Sequence, residues 1–362
     1  MADVIAGRFA LIDRIARGGS GDVWRAWDRK RERICAAKVL RQRDSEDLLR
    51  FAREKGVTFD HPHLLTPDGW GAEDEHVVIA LPLVTGGTLE ALVSRHGPLG
   101  SEAVTVILHQ VLDGLAHVHA AGWVHRDVKP ANVLLEAHGL VPVHCRLGDF
   151  GIAVHHRDVR LTHVGMLNGT PGYLAPELFD GAGPEPSHDV YAAGVLALAL
   201  LSGRTRREDR ELTAARIDQE LAGAPEPFAA AVRRMLAEDP DDRFRDAAAA
   251  RDALPTPPAG PVHWADGRPL LVADTLPPWP EGVDVPHARE AREAREAREA
   301  PEAREAPGAA AGYRAAGRRT ASPQPGADGE VARAWVVSLG AGAAAAITLG
   351  GAAGLLLRSL LG

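Results

Sequence analysis

The stretch HRDVKPANVLL, His125–Leu135, decides how this chain is read. It sets Asp127, Lys129 and Asn132 at fixed offsets ahead of an apolar run, and a turn or helix-capping aspartate alone explains neither the lysine nor the asparagine. Downstream follow LGDFGIA, Leu147–Ala153, and GTPGYLAPE, Gly169–Glu177. Upstream, SEAVTVILHQVLDGLAHVHAA, Ser101–Ala121, spaces apolar residues at helical intervals with Glu102 in the first turn, which predicts a buried helix. Further helices are expected at Asp189–Leu201 and Pro227–Ala237. Between Phe9 and about Leu40 the pattern is that of strands: RFALIDRIA, a glycine turn, DVWRAWD, a charged turn at Arg29–Arg33, then ICAAKVL. Strands first and helices later predict an α+β architecture, with a strand-rich N-terminal lobe and a helical C-terminal lobe.

The glycine turn, ARGGSGDVW at Ala16–Trp24, has Gly18 and Gly21 on a G-x-G-x-x-G spacing, Gly19 as an extra and Ala16 where the first glycine would stand. Alone it says little, because glycine turns between strands are common. Composition narrows the field further. At 362 residues and 45% hydrophobic content the chain can bury a sizeable core. Its net charge of −8 supplies no basic field for nucleic acid, so no nucleic-acid partner is expected. Cys35 and Cys145, two cysteines in apolar surroundings, read as buried thiols of a reducing compartment. The N-terminus, with Asp3 and no long apolar run, does not resemble a secretory signal. The adjacent His155 and His156, and His117 with His119 on one helix, suit no metal chelation and read as ordinary polar residues.

Taken together and in this order, the motifs resemble the protein kinase family, specifically the bacterial serine/threonine kinases of eukaryotic (Hanks) type, over about residues 9–254. The resemblance implies the bilobal kinase fold and transfer of the ATP γ-phosphate, with Mg²⁺ or Mn²⁺, to hydroxyls of protein substrates. It implies that Asp127 orients the substrate hydroxyl and accepts its proton, that Lys129 contacts the γ-phosphate, and that Asn132 and Asp149 hold metal. Lys38 matches the strand lysine that neutralises the α- and β-phosphates, with Glu54 as its carboxylate partner; Glu46 and Asp47 read as solvated helix-start acids. Gly18, Gly19, Ser20 and Gly21 would close over the phosphates, and Val23, Ala36 and Leu135 would wall the adenine. The hinge falls at Pro82–Val84, through Leu83 and Val84 backbone groups, with Leu81 guarding the back pocket; Pro82 lacks a donor. Thr170 is expected to bond Asp127 and Lys129, Glu177 to pair with Arg243, and Asp189 to brace the catalytic loop. Arg126 before Asp127 points to activation-loop phosphorylation, with Thr162 either the autophosphorylated residue or an incidental loop threonine. Residues 204–226 are short for the family, which implies a reduced helix and unusual substrate choice.

Beyond Leu254 the composition turns proline-rich and then repeats Ala-Arg-Glu, a period of three that keeps no apolar helix face, so residues 255–330 read as a solvated linker. Ala334–Leu357 is free of charge over 24 residues. That is about 36 Å of helix, enough for a bilayer core of about 30 Å. It reads as a transmembrane helix and a tail anchor, with Arg314, Arg318, Arg319 and Arg333 keeping the kinase side in the cytoplasm. Gly350 and Gly354 supply a G-x-x-x-G face for a homodimer. Two other readings stand beside the active kinase. A membrane-anchored pseudokinase scaffold is motivated by Ala16 and the shortened segments. A small-molecule kinase is opposed by the intact GTPGYLAPE segment, which positions a peptide.

Overall fold

The computed structural model describes residues 3–18, 21–41, 59–73, 76–137, 143–150, 154–155, 169–206 and 212–280. The N-terminal part is a sheet of six strands, β1 (Val4–Ile5), β2 (Phe9–Gly18), β3 (Gly21–Asp28), β4 (Arg33–Arg41), β5 (Gly69–Glu73) and β6 (His76–Leu81). Their order is β1-β2-β3-β4-β6-β5, with every pair antiparallel. The alternation that predicted the meander is visible as burial: Phe9, Leu11, Ala26, Cys35, Ala37, Val78 and Ala80 form one face's core. The β3–β4 register sets Val23 opposite Lys38, and Ala36 pairs with Leu81 across β4 and β6, so the residues read as adenine and phosphate contacts share one end of the sheet.

The C-terminal part is helical. Helix α1 (Leu89–His96) is capped by Thr88, whose hydroxyl accepts from the Ala91 N–H at 3.2 Å. Helix α2 (Ser101–Ala120) buries a continuous apolar stripe from Ala103 to Val118. Helix α3 (Pro186–Ser202) is apolar on almost every side and therefore lies in the interior, packed on α2 and on α5 (Glu226–Met235). It starts with Pro186 in its first turn and a reciprocal Glu185–His188 cap, and it stops at Gly203 in the left-handed conformation. Between them, α4 (Ala214–Glu220) has only seven residues, in line with the shortness of region 204–226. Helix α6 (Ala247–Asp252) packs back on α2. Four short strands, β7 (Trp123–Val124), β8 (Val133–Leu135), β9 (Cys145–Leu147) and β10 (Val154–His155), pair as β7 with β10 and β8 with β9 beneath the sheet, carrying the loops between them. Cys35 and Cys145 are buried free thiols, each pushed up to about 12 chiefly by burial.

The linker expectation needs correction at its start. Residues 255–280 run along the domain with Val262, Trp264, Leu270 and Val272 buried. They carry no helical or strand period long enough to detect, yet these four side chains are packed into the fold, while Leu271 stays exposed. Residues 281–330 and the charge-free stretch 334–357 lie outside the described residues. No helix of the described residues is long and apolar enough to cross a membrane.

Candidate active site

Between sheet and helices lies a cavity of about 370 Å³. Val23, Ala36 and Leu81 line it from the sheet, Pro82 and Val84 from the connection to α1, and Lys38 with Asp149 from its inner end. One sequence assignment changes. Leu135 is fully buried, and Leu134 lines the cavity instead: neighbouring residues of β8 point to opposite faces, so only one of the two leucines can do so. Leu83 does not contribute to the lining, whereas its neighbours Pro82 and Val84 do. Ile15, Ala16, Leu65, Thr275 and Leu276 also line the cavity and were not expected to.

The glycine turn is seen from both sides. Gly18 pairs with Gly21 at the end of the β2–β3 ladder, while Gly19 and Ser20 lie outside the described residues. Gly21 has φ of 141°, and a Cβ there would come within 2.3 Å of the Val39 carbonyl oxygen, so the position accepts only glycine. Ala16 pairs with Val23 in ordinary extended backbone, which explains why alanine is tolerated where the glycine pattern would begin.

Lys38, buried on β4, reaches 3.3 Å from an Asp149 carboxylate oxygen. Desolvation raises the Asp149 carboxyl, but Lys38, through its charge and hydrogen bond, outweighs that and holds the group below the usual carboxylate range. Asp149 also takes a left-handed φ of 63°. The carboxylate expected beside Lys38, Glu54, lies outside the described residues, as does Thr162.

Asp127 sits at the hub of a closed network. Lys129 Nζ donates to Asp127 Oδ2 at 2.7 Å and to Thr170 Oγ1 at 2.8 Å, and Thr170 Oγ1 donates to Asp127 Oδ1 at 3.1 Å. Asn132 Nδ2 donates to the Asp127 backbone carbonyl at 2.7 Å and to Oδ2 at 2.8 Å. Both carboxylate oxygens are thereby fixed in direction. Because the Asn132 amide nitrogen is spent on Asp127, its amide oxygen is the atom left for a metal.

The loop that carries Asp127 is held from below by Asp189 at the start of α3. Its carboxylate accepts from the His125 N–H and the Arg126 N–H, both at 2.8 Å, and from His119 Nε2 at 2.9 Å. Complete burial raises the Asp189 carboxyl, yet these donors, His119 foremost, hold it below its ordinary value. Arg126 has φ of 70°, a costly conformation that the Asp189 contact fixes. The His125 ring bonds the Gly148 carbonyl at 3.1 Å and meets Phe150 edge-on, tying the Asp127 loop to the Asp149 loop. His119, read from the sequence as an ordinary polar residue, is thus part of the brace. Its signal was weak, because its partner lies 70 residues away. Farther out, Arg243 makes two parallel bonds to Glu177, at 2.6 and 2.9 Å.

The family model described as a protein kinase domain matches residues 9–253. The serine/threonine-protein kinase PknL of Mycobacterium tuberculosis is 35% identical over 257 residues, which is 67% of this chain and 63% of that protein. The serine/threonine-protein kinase PkaA of Streptomyces coelicolor is 33% identical over 261 residues, 66% of this chain and 48% of its own length. The serine/threonine-protein kinase PknE of Mycobacterium tuberculosis is 34% identical over 253 residues, covering 66% and 44%. The chain spans between 44% and 63% of the length of these curated relatives.

Proposed function

The chain belongs to the protein kinase family, among the bacterial Hanks-type serine/threonine kinases, and we propose that it transfers the γ-phosphate of ATP to serine and threonine hydroxyls of proteins. The observation that carries this reading is the pinned Asp127 carboxylate, bonded by Lys129, Thr170 and Asn132 beside a cavity whose inner end holds Lys38 and Asp149. In this reading adenine lies between Val23 and Ala36 above and Leu134 below. Lys38 binds phosphate oxygens. Asp127 aims the attacking hydroxyl and takes its proton, and Lys129 neutralises the charge that develops on the phosphoryl group. Asp149 and the Asn132 amide oxygen are a hard-oxygen pair that suits Mg²⁺ or Mn²⁺, which when bound neutralises phosphate charge. A second cavity, lined by Glu90, Lys129, Thr170 and Arg206, adjoins the Asp127 network and suits the incoming peptide. The net charge of −8 goes with protein substrates and not nucleic acid.

The same reading gives the protein a place on the membrane. The charge-free stretch 334–357 supports a single-pass helix with the kinase on the cytoplasmic side. Its G-x-x-x-G spacing supports self-association that favours autophosphorylation, with Thr162 as the first acceptor.

Full-length chain in detergent, given radiolabelled ATP with Mg²⁺ and a basic test protein, is expected to label itself or the substrate. Asp127→Asn is expected not to. Equal labelling by the two, or none by either, overturns the reading. Recovery of the chain in the soluble fraction after cell lysis overturns the membrane placement.

A further inference from the structure

One edge of the nucleotide cavity is built from residues that follow the matched domain. The family match ends at residue 253, yet Thr275 and Leu276 line the cavity. The path between is traceable bond by bond. His109 Nε2 bonds the Pro255 carbonyl at 2.8 Å. Trp264 is buried and bridges to Leu99, and the Gly100 N–H donates to the His263 carbonyl at 3.0 Å. The chain turns back on itself, with the Leu270 N–H donating to Val262 at 2.8 Å, and then climbs to the hinge. There the Thr275 N–H and hydroxyl both donate to the Thr85 carbonyl, at 2.8 and 3.1 Å.

The hinge is shaped to receive this segment. A Cβ on Gly86 would come within 2.5 Å of both the Leu135 carbonyl oxygen and a Val272 methyl. A Cβ on Gly87 would approach the Thr275 hydroxyl at 3.1 Å, and Gly87 has φ of 75°. The sheet is prepared as well. Arg25, 1% exposed, is held by Asp13 through two bonds of 2.7 Å from Nε and Nη2, and Nη2 donates in addition to the carbonyls of Pro277 at 3.1 Å and Pro278 at 3.4 Å. Its guanidinium stacks 4.0 Å from the centre of the Trp279 ring. Prolines at 277, 278 and 280 limit the freedom this stretch loses on docking. The segment is therefore anchored on the helical part, at the hinge and on the sheet. It narrows the cavity without filling it, since about 370 Å³ remains with the segment in place, within the ~300–1,000 Å³ usual for ligand pockets.

We propose that Val272–Trp279 is a strap that completes the binding site for the purine nucleotide, with Leu276 as an apolar contact at the mouth of the cavity and Trp279 clamping the strap to the sheet through Arg25. This rests on the kinase reading above. It makes the nucleotide site a product of the domain and the segment after it, and it makes residues 9–254 an incomplete site.

The test uses full-length chain, with a fluorescent N-methylanthraniloyl ADP for direct binding and steady-state kinetics for KM and kcat. Leu276→Ala removes the cavity contact. Trp279→Ala removes the clamp, and Trp279 itself does not line the cavity. Both are expected to weaken nucleotide binding and raise KM for ATP by roughly five- to tenfold, with kcat at saturating ATP within about twofold of wild type. Trp279→Phe keeps a ring for Arg25 and is expected to restore most of the affinity. Leu271→Ala, at a residue 52% exposed just before the strap and outside the cavity lining, is expected to bind as wild type does. A purely structural strap would lower the unfolding temperature and leave KM alone. Unchanged or tighter nucleotide binding in Leu276→Ala and Trp279→Ala, beside an active wild type, overturns the strap and leaves the kinase reading standing. A wild type that binds no nucleotide overturns both.

Discussion

Lys38 Nζ lies 3.3 Å from Asp149 Oδ1, joining a strand of the sheet to the loop after β9 across the nucleotide cavity. Lys38 outweighs the desolvation that would raise the Asp149 carboxyl and holds it below its ordinary value. Lys38→Met is expected to cut kcat/KM for ATP on the order of 10²–10³-fold, as loss of a phosphate-facing donor does elsewhere. The sign of the pH effect follows. Without Lys38 the Asp149 carboxyl rises, so the acid limb of Mg²⁺-dependent nucleotide binding moves to higher pH in the variant. An unmoved limb would show that Lys38 does not control Asp149.

Asp127 and Asn132 test a different link, that between carboxylate orientation and the chemical step. Asp127→Asn preserves shape but removes the carboxylate that the proposed function makes the proton acceptor. The expected loss is in kcat, about 10²–10⁴-fold, with fluorescent-nucleotide affinity within about twofold of wild type. Thr170→Val removes one pin on Asp127 and leaves Lys129 and Asn132 in place, so a smaller fall in kcat is expected. A Thr170→Val loss equal to that of Asp127→Asn would mean that Thr170 does more than orient the carboxylate.

Asp189 is the brace beneath them, and its substitution is expected to show in stability as well as rate. Asp189→Ala strips the acceptor from two backbone donors and His119 in a fully buried place. At about 1–3 kcal/mol for each unsatisfied donor, a loss of roughly 3 kcal/mol or more is expected. In a domain of this size that lowers the unfolding midpoint by about 6–12 °C. Asp189→Asn keeps one acceptor oxygen and should fall between. Calorimetry with activity measured on the same samples decides, and an unshifted midpoint in Asp189→Ala would remove Asp189 from the support of the loop.

How legible this was in the sequence depends on whether a residue's role is set by its neighbours in the chain or by distant ones. The meander and the helices α2, α3 and α5 could be read because their apolar spacing repeats over many residues. Lys38, Asp127, Asn132 and Asp149 could be read because motif spacing ties each to its loop. Leu134 and Leu135 could not be told apart, because Val133, Leu134 and Leu135 are all apolar and show no alternation to reveal which side faces the cavity. The strap was invisible for a related reason. The buried residues of the strap and of the segment leading to it, Val262, Trp264, Leu270 and Val272, form only short apolar pieces among prolines and polar residues, and what holds the segment is Leu99, Gly100, Thr85 and Gly86, more than a hundred residues earlier. His119 was passed over because only the fold brings it to Asp189.

Glu177 and Arg243 carry the last prediction, one of stability against pH. The Arg243 side chain is fully buried and is further held by the carbonyls of Ala237 at 2.6 Å and Glu238 at 2.9 Å and by the Tyr191 ring. Burial alone would raise the Glu177 carboxyl. Hydrogen bonds from His188 and Arg243 reverse that and bring it down to about 2. A carboxylate whose folded value is depressed contributes its full stabilisation above its ordinary value of 4.5, and that contribution is lost as pH falls through the folded value. The window is therefore pH 4.5 to about 2. Glu177→Gln leaves the Arg243 charge buried without its partner and is expected to cost about 3–5 kcal/mol at neutral pH. Denaturant midpoints of wild type and Glu177→Gln should then differ most at pH 7 and converge as pH falls below 4.5. A gap that stays constant down to pH 3 would mean that ionisation of Glu177 is not what holds Arg243 in place.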